Sequence, residues 1–162
     1  MANSSLLAID PGLSLGWAYW SAGKKYPSKC GIIKPHKRFK DFFLETHSTI
    51  HQLGNNIVSK LKPKIIACEW PAFFDSAGGR AAAGSGSVVK LAFGCGQIAL
   101  MADAFGCEFL PVAVNKWKGQ LPKNIVIKRI NKILPASRLE YLEPESHMYD
   151  AIGIGLHVRG LF

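Results

Sequence analysis

Acidic residues are scarce in this chain. Eleven Asp and Glu face 20 Lys and Arg in 162 residues, giving a net charge of +9 and a pI near 9.5. A surplus of that size points to a polyanionic partner, either nucleic acid or an acidic membrane surface. Cysteine is also sparse. Cys30, Cys68, Cys95 and Cys107 form no Cys-x-x-Cys pair and have no histidine at zinc-finger spacing. They read as small apolar core residues of a reducing compartment. The first residues lack a basic region followed by a long apolar one, so no signal peptide is expected. No apolar run is read as long enough to cross a bilayer, which leads to the expectation of a soluble, cytoplasmic protein with no membrane partner. Phosphate-binding glycine motifs are missing too. Gly79 and Gly84 have P-loop spacing, but Ser85 stands where a lysine is required. The glycines at 84, 86, 94 and 96 have no strand directly before them and no acid about twenty residues on, as a dinucleotide fingerprint needs.

What is present is globular. A hydrophobic fraction of 48% with 19% charged residues fits one domain over residues 1–162, large enough to bury its own core. Residues 5–10, 16–20 and 29–34 read as three strands in an antiparallel meander. From His36 to about Lys62, Phe39, Phe42, Phe43, Ile50, Leu53, Ile57 and Leu61 recur mostly at helical spacing. Strands at 64–69 and 107–112 follow, with helices at 88–105, near 122–134 and near 145–160. The order predicts an α/β protein with a mixed five-stranded sheet flanked by helices. The helix over 88–105 is apolar almost all round, so it is either internal or packed between the sheet and a second copy of the chain. Residues 75–87 form a glycine- and serine-rich loop.

The few acids sit in unusual places. Asp10 closes the apolar run Leu6-Leu7-Ala8-Ile9, and Glu69 closes Lys64-Ile65-Ile66-Ala67-Cys68. His147 and Asp150, three apart, share a helix face ahead of an apolar run. Taken singly, Asp10 before Pro11-Gly12 suits a turn, and the His147–Asp150 pair suits a helix start. Glu69 has no such reading, because glutamate is a poor strand residue. A carboxylate at the end of a buried strand is costly unless a cation meets it. Taken together the set has the donors of a Mg²⁺ site, with one imidazole that slightly favours Mn²⁺ as the alternative. Two acid-free basic stretches complete the picture: Lys24, Lys25, Lys29, Lys34, Lys37, Arg38 and Lys40, then Lys116, Lys118, Lys123, Lys128, Arg129 and Lys132. The second, interrupted by Trp117 and Pro122, is the better candidate for phosphate contacts.

The run from Leu7 to Trp17 with its Ile-Asp-Pro-Gly core, the strand ending in Cys68-Glu69, the Val112 to Gly119 segment followed by Lys123, and the ending from His147 to His157 resemble the RuvC family of Holliday-junction resolvases. The resemblance spans nearly the whole chain in order. It implies a ribonuclease H-like fold, a homodimer, a four-way DNA junction as substrate and a site holding two Mg²⁺ or Mn²⁺ ions. It assigns Asp10, Glu69 and Asp150 as catalytic metal ligands, with His147 where family members carry Asp or His. Lys116, Lys118 and Lys123 fall in the segment that contacts phosphates near the scissile bond, and Arg80 joins them as a DNA contact. An aromatic shortly after the glutamate wedges into the junction in this family. Trp70, Phe73 and Phe74 are the candidates here, with Phe73 and Phe74 the DNA-binding pair. Such a protein belongs in a bacterial cytoplasm, encoded by the cell or by a phage. The alternatives are a broader nuclease for branched DNA or RNA–DNA hybrids, and a junction-binding protein without activity. Against the last, carboxylates facing phosphates gain nothing for binding alone.

Overall fold

The computed structural model describes residues 3–36, 39–71 and 86–162. Five strands form one mixed sheet: β1 (Leu6–Asp10), β2 (Leu15–Trp20), β3 (Lys29–Ile33), β4 (Ile65–Trp70) and β5 (Glu108–Ala113), in the order β3-β2-β1-β4-β5. The meander is antiparallel, while β1 with β4 and β4 with β5 run parallel. The sequence reading of the sheet holds to within about a residue at each strand end.

The first helical region starts later than its periodicity suggests. Helix α1 is Phe42–Leu53, because the Asp41 carboxylate accepts from the Leu44 N–H at 2.9 Å and caps it there. Phe39 therefore lies outside the helix. The chain continues through a π-helical turn, Gly54–Val58, into α2 (Ser59–Leu61), and stops where Lys62 turns left-handed (φ 45°) before Pro63. After β4 come α3 (Ser87–Ala104), then, beyond β5, α4 (Val114–Trp117), α5 (Lys123–Ile133), α6 (Ala136–Leu142) and α7 (Ser146–Val158). The short α4 and α6 have too few turns to show a period.

Alternation along the strands sends side chains to two cores. Leu6, Ala8, Ile65 and Ala67 join Trp20, Val126, Ile130, Ile152, Ile154 and Leu156 on the face covered by α5 and α7. Leu7, Ile9, Ile66 and Cys68 meet Ile50, Leu53, Cys95, Ile98 and Ala102 on the face covered by α1 and α3. Helix α7 lies so close to the sheet that a Cβ on Gly155 would fall 2.1 Å from the Trp20 ring. Helix α3 behaves differently. It buries Gly94, Cys95, Ile98 and Ala102 but leaves Val89 and Leu100 in solvent, so it is not internal. By length and composition alone it is also apolar enough to span a bilayer, contrary to the sequence reading. The cysteines are free thiols, with Cys68 and Cys95 buried at a sulfur separation of 4.0 Å. Burial pushes the Cys30 thiol up to about 11, as expected of a packing residue.

Candidate active site

The parallel pairing of β1 with β4 aligns Ile9 with Cys68, and the residue after each is a carboxylate. Strand parity puts Asp10 with Leu6 and Ala8, and Glu69 with Ile65 and Ala67, on the face covered by α7. The first turns of α7 bring His147 and Asp150 to the same place. Gly16, paired with Asp10 across β1 and β2, makes that approach possible: a Cβ there would stand 2.1 Å from the His147 carbonyl oxygen. Four residues from three distant parts of the chain thus gather at the C-terminal ends of the two central parallel strands.

Asp10 Oδ2 lies 3.1 Å from His147 Nδ1. Lys118 Nζ stands 3.2 Å from Glu69 Oε2 and 3.8 Å from Asp150 Oδ1, and Lys123 Nζ lies 2.5 Å from Asp150 Oδ2. Glu69 and Asp150 are 8% and 7% exposed, which is rare for carboxylates without partners. Burial pushes the Asp10 carboxyl above the usual range against the opposing hydrogen bond from His147, with the Asp150 charge adding to the rise. Burial also raises Glu69, although Lys118 pulls the other way. His147 is raised chiefly by its hydrogen bond to Asp10. Acids held above their normal range by burial and by each other form a site that favours added positive charge.

As the side chains stand, no three acidic, imidazole or thiol groups among the described residues converge on one ion position. The lysines occupy the space between the carboxylates. The donors nonetheless fit a hard divalent cation: two buried carboxylates, a third that is partly buried, and one imidazole, with ammonium groups already compensating them. Asp10, Glu69, His147 and Asp150 would hold it, and the lysines already supply the same carboxylates with positive charge.

The remaining sequence candidates are divided. Lys118 and Lys123 belong to the cluster, whereas Lys116 is exposed and lines a separate hollow with Leu110, Val112 and His157. Trp70 lies on the opposite face of the sheet, edge-on to Phe109 at 6.3 Å between ring centroids, away from the acids. Phe73, Phe74 and Arg80 lie outside the described residues. One site residue escaped sequence reading. Trp117 is 4% exposed, and its Nε1 donates to Glu69 Oε2 at 2.9 Å. In the sequence it is an aromatic interrupting a basic stretch and a member of the Val112 to Gly119 segment of the resemblance, and neither gives it a role.

No family model and no curated protein sequence matches the chain. Solved structures do. The chain is similar to Thermus thermophilus RuvC, with a TM-score of 0.66 at 18% identity over 96% of this chain and 93% of that one. It is similar to the same protein in complex with a Holliday junction substrate, with a TM-score of 0.67 at 18% identity over 97% and 94%. The yeast mitochondrial Holliday junction resolvase Ydc2 follows at 0.59 and 15% identity, over 98% of this chain and 78% of that one. Likeness at such identities is one of architecture. The mixed sheet, its strand order and its flanking helices therefore give this chain the ribonuclease H-like fold of the RuvC resolvases.

Proposed function

We propose that the protein is a divalent-metal-dependent endonuclease that nicks four-way DNA junctions, acting as a homodimer. The observation that carries this reading is the convergence of Asp10, Glu69, Asp150 and His147 on one sheet face in a chain of net charge +9. A site for binding alone would place cations, not buried carboxylates, where a phosphate arrives.

Asp10, Glu69, His147 and Asp150 would hold Mg²⁺ or Mn²⁺, which when bound would supply charge neutralisation at the phosphodiester and activation of water near neutral pH. The protein's own groups do the rest. Lys118 and Lys123, released from the acids, are within reach of a phosphate held at the same place and offset its negative charge. His147, hydrogen-bonded to Asp10, holds a proton at Nδ1 in the metal-free site. The basic stretches hold DNA arms through phosphates, so affinity falls steeply with salt. Homodimer formation is supported by the outward face of α3, where Val89 and Leu100 are 61% and 67% exposed, with Leu100 lining a hollow together with Phe105. A two-fold dimer presents two sites to a junction of matching symmetry.

The test is incubation of the purified protein with a labelled four-way junction, linear duplex and an RNA–DNA hybrid, with and without Mg²⁺ or Mn²⁺. Metal-dependent paired nicks confined to the junction are expected, with Asp10→Asn abolishing cleavage while junction affinity is kept. Cutting of the hybrid or of every branched substrate would assign a broader nuclease. Tight junction binding with no cut under any metal would assign a binding protein.

A further inference from the structure

Glu69 is the penultimate residue of β4, and its side chain has three torsions that can swing its oxygens. Both of its contacts among the described residues fall on one oxygen. Oε2 accepts from Trp117 Nε1 at 2.9 Å and faces Lys118 Nζ at 3.2 Å. Of these two partners only one is rigid. Lys118 is a flexible side chain shared with Asp150, whereas the Trp117 ring is clamped on several sides. Gly153 of α7 leaves the space the ring fills, since a Cβ there would stand 2.4 Å from Cζ3. Phe162 packs against it at 5.7 Å between centroids, and Lys118 Nζ caps it at 4.7 Å. The Trp117 N–H is therefore a fixed donor in a buried place, where a misdirected N–H would go unsatisfied.

We infer that Trp117 is the positioning residue of the site: its indole N–H holds Glu69 by Oε2 and so presents Oε1 to the metal. This rests on the metallonuclease reading above. Outer partners that orient a metal ligand are worth roughly 10- to 100-fold in metal affinity or activity when removed. Because Lys118 shares Oε2, its departure toward a phosphate leaves the carboxylate anchored by Trp117 alone. The ring also ties Glu69 on β4 to α7, the helix carrying His147 and Asp150, through the Gly153 socket.

The experiment is calorimetric titration of the DNA-free full chain with Mn²⁺, comparing wild type with Trp117→Phe, which keeps a ring and removes the N–H. A loss of roughly 10- to 100-fold in Mn²⁺ affinity is expected, together with a rise in the Mn²⁺ concentration needed for half-maximal nicking and recovery of rate at saturating metal. In the Glu69→Ala background, Trp117→Phe should cause no further loss, because its effect passes through the Glu69 carboxylate. Should Trp117→Phe fold poorly, benzothienylalanine at 117 keeps the bicyclic volume and removes only the N–H donor. Wild-type Mn²⁺ affinity in both variants overturns the positioning role, as does an equal loss in the Glu69→Ala background, which would mark a packing effect. Wild type that binds no Mn²⁺ and cuts no junction overturns the metallonuclease reading, and the positioning role with it.

Discussion

Helices α3 and α7 are alike in sequence character and opposite in placement. Both are apolar and both carry paired glycines, one on each face of the sheet. In α7 every residue from Asp150 to Leu156 is buried, and Gly153 and Gly155 receive the rings of Trp117 and Trp20. In α3 only four residues are buried, and a Cβ on Gly96 would meet nothing within 4 Å. A glycine in α7 is a socket; Gly96 in α3 carries no such load. The helix keyed into the sheet holds two site residues, and the helix left half bare exposes apolar side chains. Apolar composition alone does not report burial.

The contrast breaks most readily at Gly155. Gly155→Ala forces a Cβ to within 2.1 Å of the Trp20 ring, in a core where Trp20 is fully buried. Overpacking of this kind should cost roughly 3 kcal/mol, read as a fall in the urea midpoint. An unchanged midpoint would show that α7 is not keyed. On the other helix, Leu100→Glu should turn a dimer into a monomer at micromolar concentration in sedimentation velocity, with monomer stability altered by less than about 0.5 kcal/mol. A variant that stays dimeric would move the interface off α3.

A smaller effect sharpens the role of the keyed helix. Asp10, Glu69 and His147 all have folded pKa values raised above their ordinary ones. The metal-free fold therefore binds more protons than the unfolded chain, and these groups withdraw stability as pH rises. The carboxyls do so above their ordinary range near 4, and His147 does so above about 6.5. The rise in melting temperature on adding Mn²⁺ should accordingly be larger at pH 8 than at pH 5.5. An equal rise at both would mean that these groups do not meet the ion. The smallest expected change is Gly96→Ala, which should stabilise the monomer by roughly 0.5–1 kcal/mol through helix propensity. Loss of stability there, by chemical denaturation of dilute protein, would reveal packing not evident around Gly96.

Much of this was legible in the chain. Strand parity and turn residues give the sheet, and Asp10, Glu69, His147 and Asp150 stand out because ionisable groups at the ends of apolar runs need a reason. Their meeting is visible only through a family resemblance or a fold. Trp117 was visible in the Val112 to Gly119 segment, but its contact with Glu69 was not legible, because the partner lies 48 residues away. Lys118 and Lys123 were read as phosphate contacts, and the fold shows their second partners, the acids themselves. The exposed face of α3 has the same pattern as a buried one, since periodicity records only where apolar residues lie.

The hydrogen bond between His147 and Asp10 joins positions 137 residues apart. During synthesis all five strands leave the ribosome before α7 does, so the acidic cluster lacks two of its four members until the last helix is made. Chain order thus sets a time lock: a growing or prematurely ended polypeptide carries the strands that bear Asp10 and Glu69 but not the helix that completes the cluster.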